Sequence, residues 1–317
     1  MSRGVTNSAN ESTFDILGLG CVAVDDLLYV DSFPDPDTKM QIVRRERCCG
    51  GLTASALVAA SRLGASCAYG GCLGDDEFSR YAASQLEREG VSLAVMYRDP
   101  AACPIISTIM VGQERGTRNI FYDLHGVRPL PTEWPDPSVL RGIQALLVDH
   151  FSVEAQTRAA RVARERGVPV VADFERSDAP GFAELLNIVD HLVLSQEFAA
   201  ELTGSMQPDV AARSLWNDQR SAVVITCGRE GCLFLTEAGG SVQRQPAFGV
   251  KVVDTTGCGD VFHGAYAAAL VQGTPIVSAI RFATAAAAIK ATRPGGQAGA
   301  PRLSDVQQFL DQQLPAM

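Results

Sequence analysis

Asp254-Thr255-Thr256-Gly257-Cys258-Gly259-Asp260 separates two segments of opposite character. Before it, the β-branched run Val250, Val252, Val253 predicts a strand. After it, Val261-Phe262-His263-Gly264-Ala265-Tyr266-Ala267-Ala268-Ala269-Leu270 predicts a buried, alanine-rich helix. Glycines let backbone amides converge on one point, and a helix start adds partial positive charge there, so Gly257, Cys258 and Gly259 form a candidate anion hole. Asp260 has the wrong charge to bind an anion, but the right chemistry to take a proton from an alcohol as a phosphoryl group arrives. A junction that used glycine for steric reasons alone would need neither a carboxylate at each end nor two threonines.

Working outward, the chain alternates strand and helix. Strands are predicted over Phe14–Val24, Leu27–Val30, Met40–Arg47, Ser66–Gly70, Ala145–Val148, Val168–Ala172, Leu192–Leu194, Ala222–Thr226 and Cys232–Leu235. Helices are predicted over Leu52–Leu63, Glu77–Glu89 and Val153–Arg166, and the end of the chain reads as helical apart from the loop Arg293–Pro301. This strand–helix–strand beat predicts a mostly parallel sheet in an α/β domain spanning 14–317, after a polar leader over 1–13 that is read as flexible. Two β-rich stretches, about 27–48 and 104–124, lack intervening helices and predict a small projecting sheet that serves as a lid or a dimer surface. The second contains a hairpin around Gln113-Glu114-Arg115-Gly116.

The 317 residues are 46% hydrophobic and 20% charged, with net charge −9, which argues against a nucleic-acid partner; only Arg44-Arg45-Glu46-Arg47 is locally basic. No apolar run approaches the ~20 residues of a membrane span. Nine cysteines, an odd number without a CxxC pair, predict a reducing, cytoplasmic setting rather than a disulfide scaffold. The four histidines show no zinc spacing.

The central turn and Val261-Phe262-His263-Gly264-Ala265 resemble the C-terminal signature of the ribokinase-like (PfkB) carbohydrate kinases, DTxGAGD followed by FxGA, with Cys258 in place of alanine. Gly50-Gly51-Leu52 through Arg62-Leu63-Gly64 resembles that family's N-terminal signature, and Gly71, Gly74, Asp75 and Asp76 resemble its next element. Ile225-Thr226-Cys227-Gly228-Arg229-Glu230-Gly231 is similar to its nucleotide loop, and Thr292–Gln297 to its late loop. The likeness runs in order over roughly residues 15 to 310. The stretches Val252–Gly264, Arg281-Phe282-Ala283 and Lys290–Pro301 are most similar to the sulfofructose-kinase and other fructose-type branch.

The resemblance implies a three-layer αβα sandwich with a β lid, and an ATP-dependent kinase that phosphorylates a primary hydroxyl of a furanose-like sugar of the fructose, sulfofructose or ribose type. A sugar phosphate or nucleoside is the alternative acceptor. It implies Asp260 as base, with Gly257, Cys258 and Gly259 steadying the transferring group. It places Asp25, Lys39, Gly50, Gly51 and Ser55 on the substrate side; Arg118, also assigned to substrate binding, and Arg176 are further candidate anion clamps. Thr226, Gly228, Gly231 and Gly296 fall to ATP, and Asp254 and Thr256, with the Arg293–Gln297 loop, to a monovalent cation such as K+. Magnesium is expected with the ATP. The family's N-x-x-E motif is altered here: Ser195 replaces the asparagine and Phe198 the glutamate, leaving Glu197 as the stand-in magnesium ligand. A homodimer through the lid sheet is expected.

Two other classes are weighed. Gly18-Leu19-Gly20-Cys21-Val22-Ala23 fits a dinucleotide fingerprint, but that pattern must open a helix, and this chain runs on through Asp25-Asp26 into β-type residues. A non-catalytic sugar-binding relative is argued against by the intact Asp260 and anion hole.

Overall fold

The computed structural model describes residues 14–112, 114 and 117–313. The leader read over 1–13, and Gln113, Arg115 and Gly116 of the hairpin turn, lie outside them. In chain order, the strands are β1 (Ile16–Leu19), β2 (Ala23–Val30), β3 (Arg44–Gly50), β4 (Cys67–Tyr69), β5 (Cys72–Leu73), β6 (Val91–Ser92), β7 (Tyr97–Arg98), β8 (Ile105–Gly112), β9 (Thr117–Asp123), β10 (Ala145–Val148), β11 (Val170–Asp173), β12 (His191–Ser195), β13 (Ala222–Thr226), β14 (Cys232–Leu235) and β15 (Gln243–Gln245). The helices are α1 (Leu52–Arg62), α2 (Glu77–Arg88), α3 (Val153–Glu165), α4 (Phe182–Ile188), α5 (Gln196–Thr203), α6 (Pro208–Leu215), α7 (Cys258–Val271), α8 (Ile276–Ala291) and α9 (Leu303–Gln312).

Among the described residues the larger sheet has nine strands in the order β15-β14-β13-β12-β11-β10-β1-β4-β6. All pairings from β13 to β6 are parallel; β14 and β15 are antiparallel additions at one edge. Its central strands are short apolar runs buried on both faces, as parallel strands between helix layers must be. Side chains alternate across it. Ile16, Leu147, Val171, Val193 and Val224 pack against α1, α7 and α8, whereas Leu17, Leu146, Val170, Leu192 and Ile225 pack against α3, α4, α5 and α6. The three-layer αβα arrangement follows from that alternation.

The second sheet has the order β3-β2-β8-β9 and draws its strands from 23–50 and 105–123. Its outer strand β9 is exposed along its length, Phe121 and Tyr122 at 60% and 61%. No helix among the described residues is long and apolar enough to cross a membrane, and all nine cysteines are free.

Three predicted strands are corrected. The run Phe14–Val24 splits into β1 and the start of β2, because Gly20 lies against the carboxylate of Asp149 and the chain leaves the larger sheet there. The strand predicted over Met40–Arg47 is instead Arg44–Gly50, since β2 offers partners only as far as Tyr29, opposite Arg44. Val250–Val253 form no strand: Val252 and Val253 are exposed, and the amides of Val253 and Asp254 both donate to the carbonyl of Ala291 (2.7 and 3.1 Å). The turn is therefore pinned to the end of α8, not to a sheet. Gly18–Ala23 leads into β2 without opening a helix, which removes the dinucleotide reading.

Candidate active site

Gly257, in the left-handed region at φ 73°, is the N-cap of α7, so Cys258, Gly259 and Asp260 are its first turn. Thr255 O takes the amide of Cys258 at 3.2 Å, and Gly257 O takes that of Val261 at 3.0 Å. The amides of Gly257, Gly259 and Asp260 have no acceptor among the described residues. Three unpaired amides at a helix start are the donors an anion needs. A side chain on Gly257 would put its Cβ 3.0 Å from Gly296 Cα, so the late loop closes against the turn only through glycine.

Asp260 is half-buried. Burial, and then the negative charges of Asp173 and Glu175, push its carboxyl well above the ordinary aspartate range; His263 and the Ser55 hydroxyl oppose them. Asp173 ends β11 and is itself pushed well up, by burial and then by Glu175 and Asp149. His263 ties the tip of α7 to the carboxyl edge of the sheet. Its Nδ1 lies 2.8 Å from Gly259 O and 3.2 Å from Asp173 Oδ2, and its Nε2 lies 3.0 Å from Val193 O in β12. The remaining neighbour is Ser55, whose Oγ accepts from Gln297 Nε2 at 3.2 Å.

Asp254 anchors the other end of the turn. Its Oδ1 accepts from Thr256 N (2.9 Å) and its Oδ2 from Gly295 N (2.8 Å). Burial would raise this carboxyl, but those bonds and the charge of Lys290 hold it below the usual range. Arg118 reaches in from β9, bonding the Thr256 hydroxyl and standing 3.6 Å from Asp254 Oδ1. The structure thus places Arg118 on the turn.

Asp25 and Asp26 have different surroundings. Asp26 is held by Arg47 (2.8 Å) and Arg45 (2.9 Å), while Asp25 has no cationic partner among the described residues. Burial raises the Asp25 carboxyl, Ser107 opposing and Asp26 adding to the rise. Asp25 packs against Gly50, whose position a larger residue would fill. Gly51, at φ 92°, would put a Cβ 2.7 Å from Val22 Cα, so only glycine lets the chain turn from β3 into α1 and deliver Ser55. Asp149, unforeseen from sequence, braces that turn by accepting from Cys21 N (2.7 Å) and Thr53 Oγ1 (2.9 Å). Lys39 lies exposed in the loop after β2 with no hydrogen bond or ion pair among the described residues, and Arg176 is engaged by Asp178 (2.7 Å). The structure brings neither to Asp25.

Thr226 ends β13, directly opposite Ser195 in β12. Gly228 (φ 54°) and Gly231 (φ 91°) shape the following turn, where a Cβ on Gly231 would meet Pro246 C at 2.6 Å. Asp173, Ser195 and Thr226 therefore share one carboxyl edge of parallel strands, the edge where α/β sheets bind ligands. Ser195 Oγ caps α5 by accepting from Phe198 N (3.1 Å), and Phe198 is buried edge-on against Phe182. Glu197 is exposed; burial pushes the Cys227 thiol up, and the charge of Glu197 adds to the rise.

The order of motifs, the sheet and the glycine-built turn meet in a single comparison. A model of the pfkB family of carbohydrate kinases matches residues 16–303. The chain belongs to this family. It is a phosphotransferase with an alcohol acceptor. It is 29% identical to ribokinase of Haemophilus influenzae over 314 residues, covering 92% of this chain and 97% of that one. It is 30% identical to fructokinase of Solanum tuberosum over 279 residues, with 82% and 86% covered. Ribokinase of Thermotoga maritima superposes with a TM-score of 0.82 at 26% identity, over 94% of this chain and 99% of that one. This pfkB kinase shares the ribokinase-like fold.

Proposed function

We propose that the protein transfers the γ-phosphoryl group of ATP to a primary hydroxyl of a furanose-like sugar, of the fructose, sulfofructose or ribose type. The observation that carries this reading is Asp260 in the first turn of α7, beside three amides without acceptors among the described residues. The similarity to a ribokinase and a fructokinase supports the acceptor class.

In this reading Asp25 and Ser55 bind sugar hydroxyls, and the Gly50-Gly51 turn lets the sugar approach the backbone. The carboxylate of Asp260 takes the proton of the attacking hydroxyl, and the amides at Gly257, Gly259 and Asp260 hold the oxygens of the moving phosphoryl group. Thr226, Gly228, Gly231 and Gly296 line the nucleotide side. The small sheet closes over the sugar and excludes water, which limits idle ATP hydrolysis.

Among the described residues no group of three or more His, Cys, Asp or Glu stands ready to cage a metal. The residues fit a magnesium ion that arrives on the nucleotide, with Glu197 as a candidate carboxylate ligand. Bound there, it would neutralise phosphate charge.

The exposed β9 face supports the expected homodimer, formed by the small sheets of two copies. The test of the whole reading is ATP consumption screened over fructose, ribose, sulfofructose, sugar phosphates and nucleosides. Turnover with a free furanose-forming sugar is expected; turnover confined to sugar phosphates or nucleosides would replace it with the alternative acceptor.

A further inference from the structure

The family resemblance implies a monovalent metal cation between Asp254, Thr256 and the loop 293–297. A side chain of this protein already stands there. Lys290, in the last turn of α8, has no solvent exposure at all. Its Nζ donates to Asp254 O at 2.8 Å and Arg293 O at 3.2 Å, and lies 3.8 Å from Asp254 Oδ2. The carbonyl of Ala291, the next candidate ligand, takes two backbone amides. The Asp254 carboxylate also accepts from the amides of Thr256 and Gly295.

The surroundings are cut to fit the lysine. A Cβ on Gly299 would meet Gly295 O at 2.8 Å, Lys290 Cε at 3.0 Å and Arg293 O at 3.2 Å, so glycine there leaves room for the aliphatic stem. Lysine is scarce in this arginine-rich chain, confined to Lys39, Lys251 and Lys290. The compact ammonium suits a nest of carbonyl oxygens; the planar fork of arginine does not. The end of α8 also favours a positive charge. A buried lysine without oxygen partners would be costly, and this one has three.

A potassium ion therefore does not fit beside Lys290: the same oxygens already hold one positive charge. We propose that the Lys290 ammonium is the resident cation of this site, a positioning residue that clamps the loop 293–297 to the turn 254–257, so that phosphoryl transfer needs no monovalent metal ion. The proposal deepens the kinase reading and rests on it only for the catalytic consequence; occupancy of the site stands apart from it.

The experiment compares potassium chloride with choline chloride at constant ionic strength, on the full chain and on Lys290→Met. Two readouts are taken, thermal melting without substrates and turnover with ATP and the best sugar. For the unaltered protein both are expected to be the same in the two salts. Lys290→Met is expected to melt lower, to recover in potassium in a saturable way, and to show turnover stimulated by potassium about tenfold or more. Saturable stabilisation or stimulation of the unaltered protein by potassium would overturn the proposal, as would a folded Lys290→Met indifferent to potassium. If the variant does not fold, the unaltered protein decides alone. A protein that turns over no sugar in either salt would sink the kinase reading, and melting would still decide the cation.

Discussion

Arg118 Nη1 stands 3.6 Å from Asp254 Oδ1 and bonds the hydroxyl of Thr256, joining strand β9 of the small sheet to the turn that opens α7. It is a contact between the small sheet and the glycine-built turn. The pair is partly exposed, 40% and 25% for the two side chains, so it contributes little to stability, about 0–1 kcal/mol. Arg118→Ala is expected to leave the melting temperature almost unchanged while lowering kcat by about tenfold or more. Steady-state kinetics beside a melting curve checks this; an unchanged kcat would mean that the contact is incidental.

The acid cluster predicts a pH dependence. As the proposed base, Asp260 must be ionised to accept a proton, so kcat/KM is expected to fall on the acid side as pH drops through its pKa. Burial, with Asp173 and Glu175, raises that pKa and moves the limb above the ordinary carboxylate range. Asp173→Asn removes one negative neighbour and is expected to shift the limb to lower pH. Stability moves with it. A carboxyl raised by folding contributes stability at low pH that is lost as pH rises through its folded value. Asp173→Asn is therefore expected to melt higher at neutral and alkaline pH, the gain shrinking towards acid. A pH–rate profile and melting series on both proteins tests both signs.

Cys258 is half-buried; its thiol is pushed up by burial, Lys290 opposing, and it faces Ala287 O at 3.7 Å. It behaves as a small apolar residue at the start of α7; its amide, expected from the sequence to be part of the anion hole, is instead taken by Thr255 O. Cys258→Ala is expected to keep kcat within about twofold, since the turn and the free amides of Gly257, Gly259 and Asp260 remain. Loss of activity in that variant, or rapid inactivation of the parent by iodoacetamide with label on Cys258, would overturn this view.

Ile120 and Tyr122, on β9, are exposed at 50% and 61%. Such an apolar edge is the kind that pairs with a second copy. The 33.7 kDa chain is expected to run as a dimer in light scattering, and Ile120→Glu with Tyr122→Glu as a monomer. A monomeric parent protein would contradict the pairing.

Much of this fold is legible because parallel strands buried on both faces are short apolar runs bounded by turns: Ala145–Val148 and Ala222–Thr226 fall where the sequence places them. The turn is legible because its chemistry is contiguous. What failed depended on distant partners. Val250–Val253 prefers extended backbone, but the end of α8 takes the place of a neighbouring strand. The break at Gly20 answers to Asp149, 128 residues on from Cys21. Asp173 could have been suspected as an acid at the carboxyl end of a parallel strand, and Lys290 as a cation inside an alanine-rich helix. Neither role can be read before the chain is folded.

The most direct test is Asp260→Asn, assayed for sugar-dependent ATP consumption and, by calorimetry, for sugar binding. The variant keeps the shape and the amides of the turn while removing the base. Phosphoryl transfer is expected to collapse while the sugar still binds; turnover persisting at the parent rate would contradict the assignment of Asp260 as the proton acceptor.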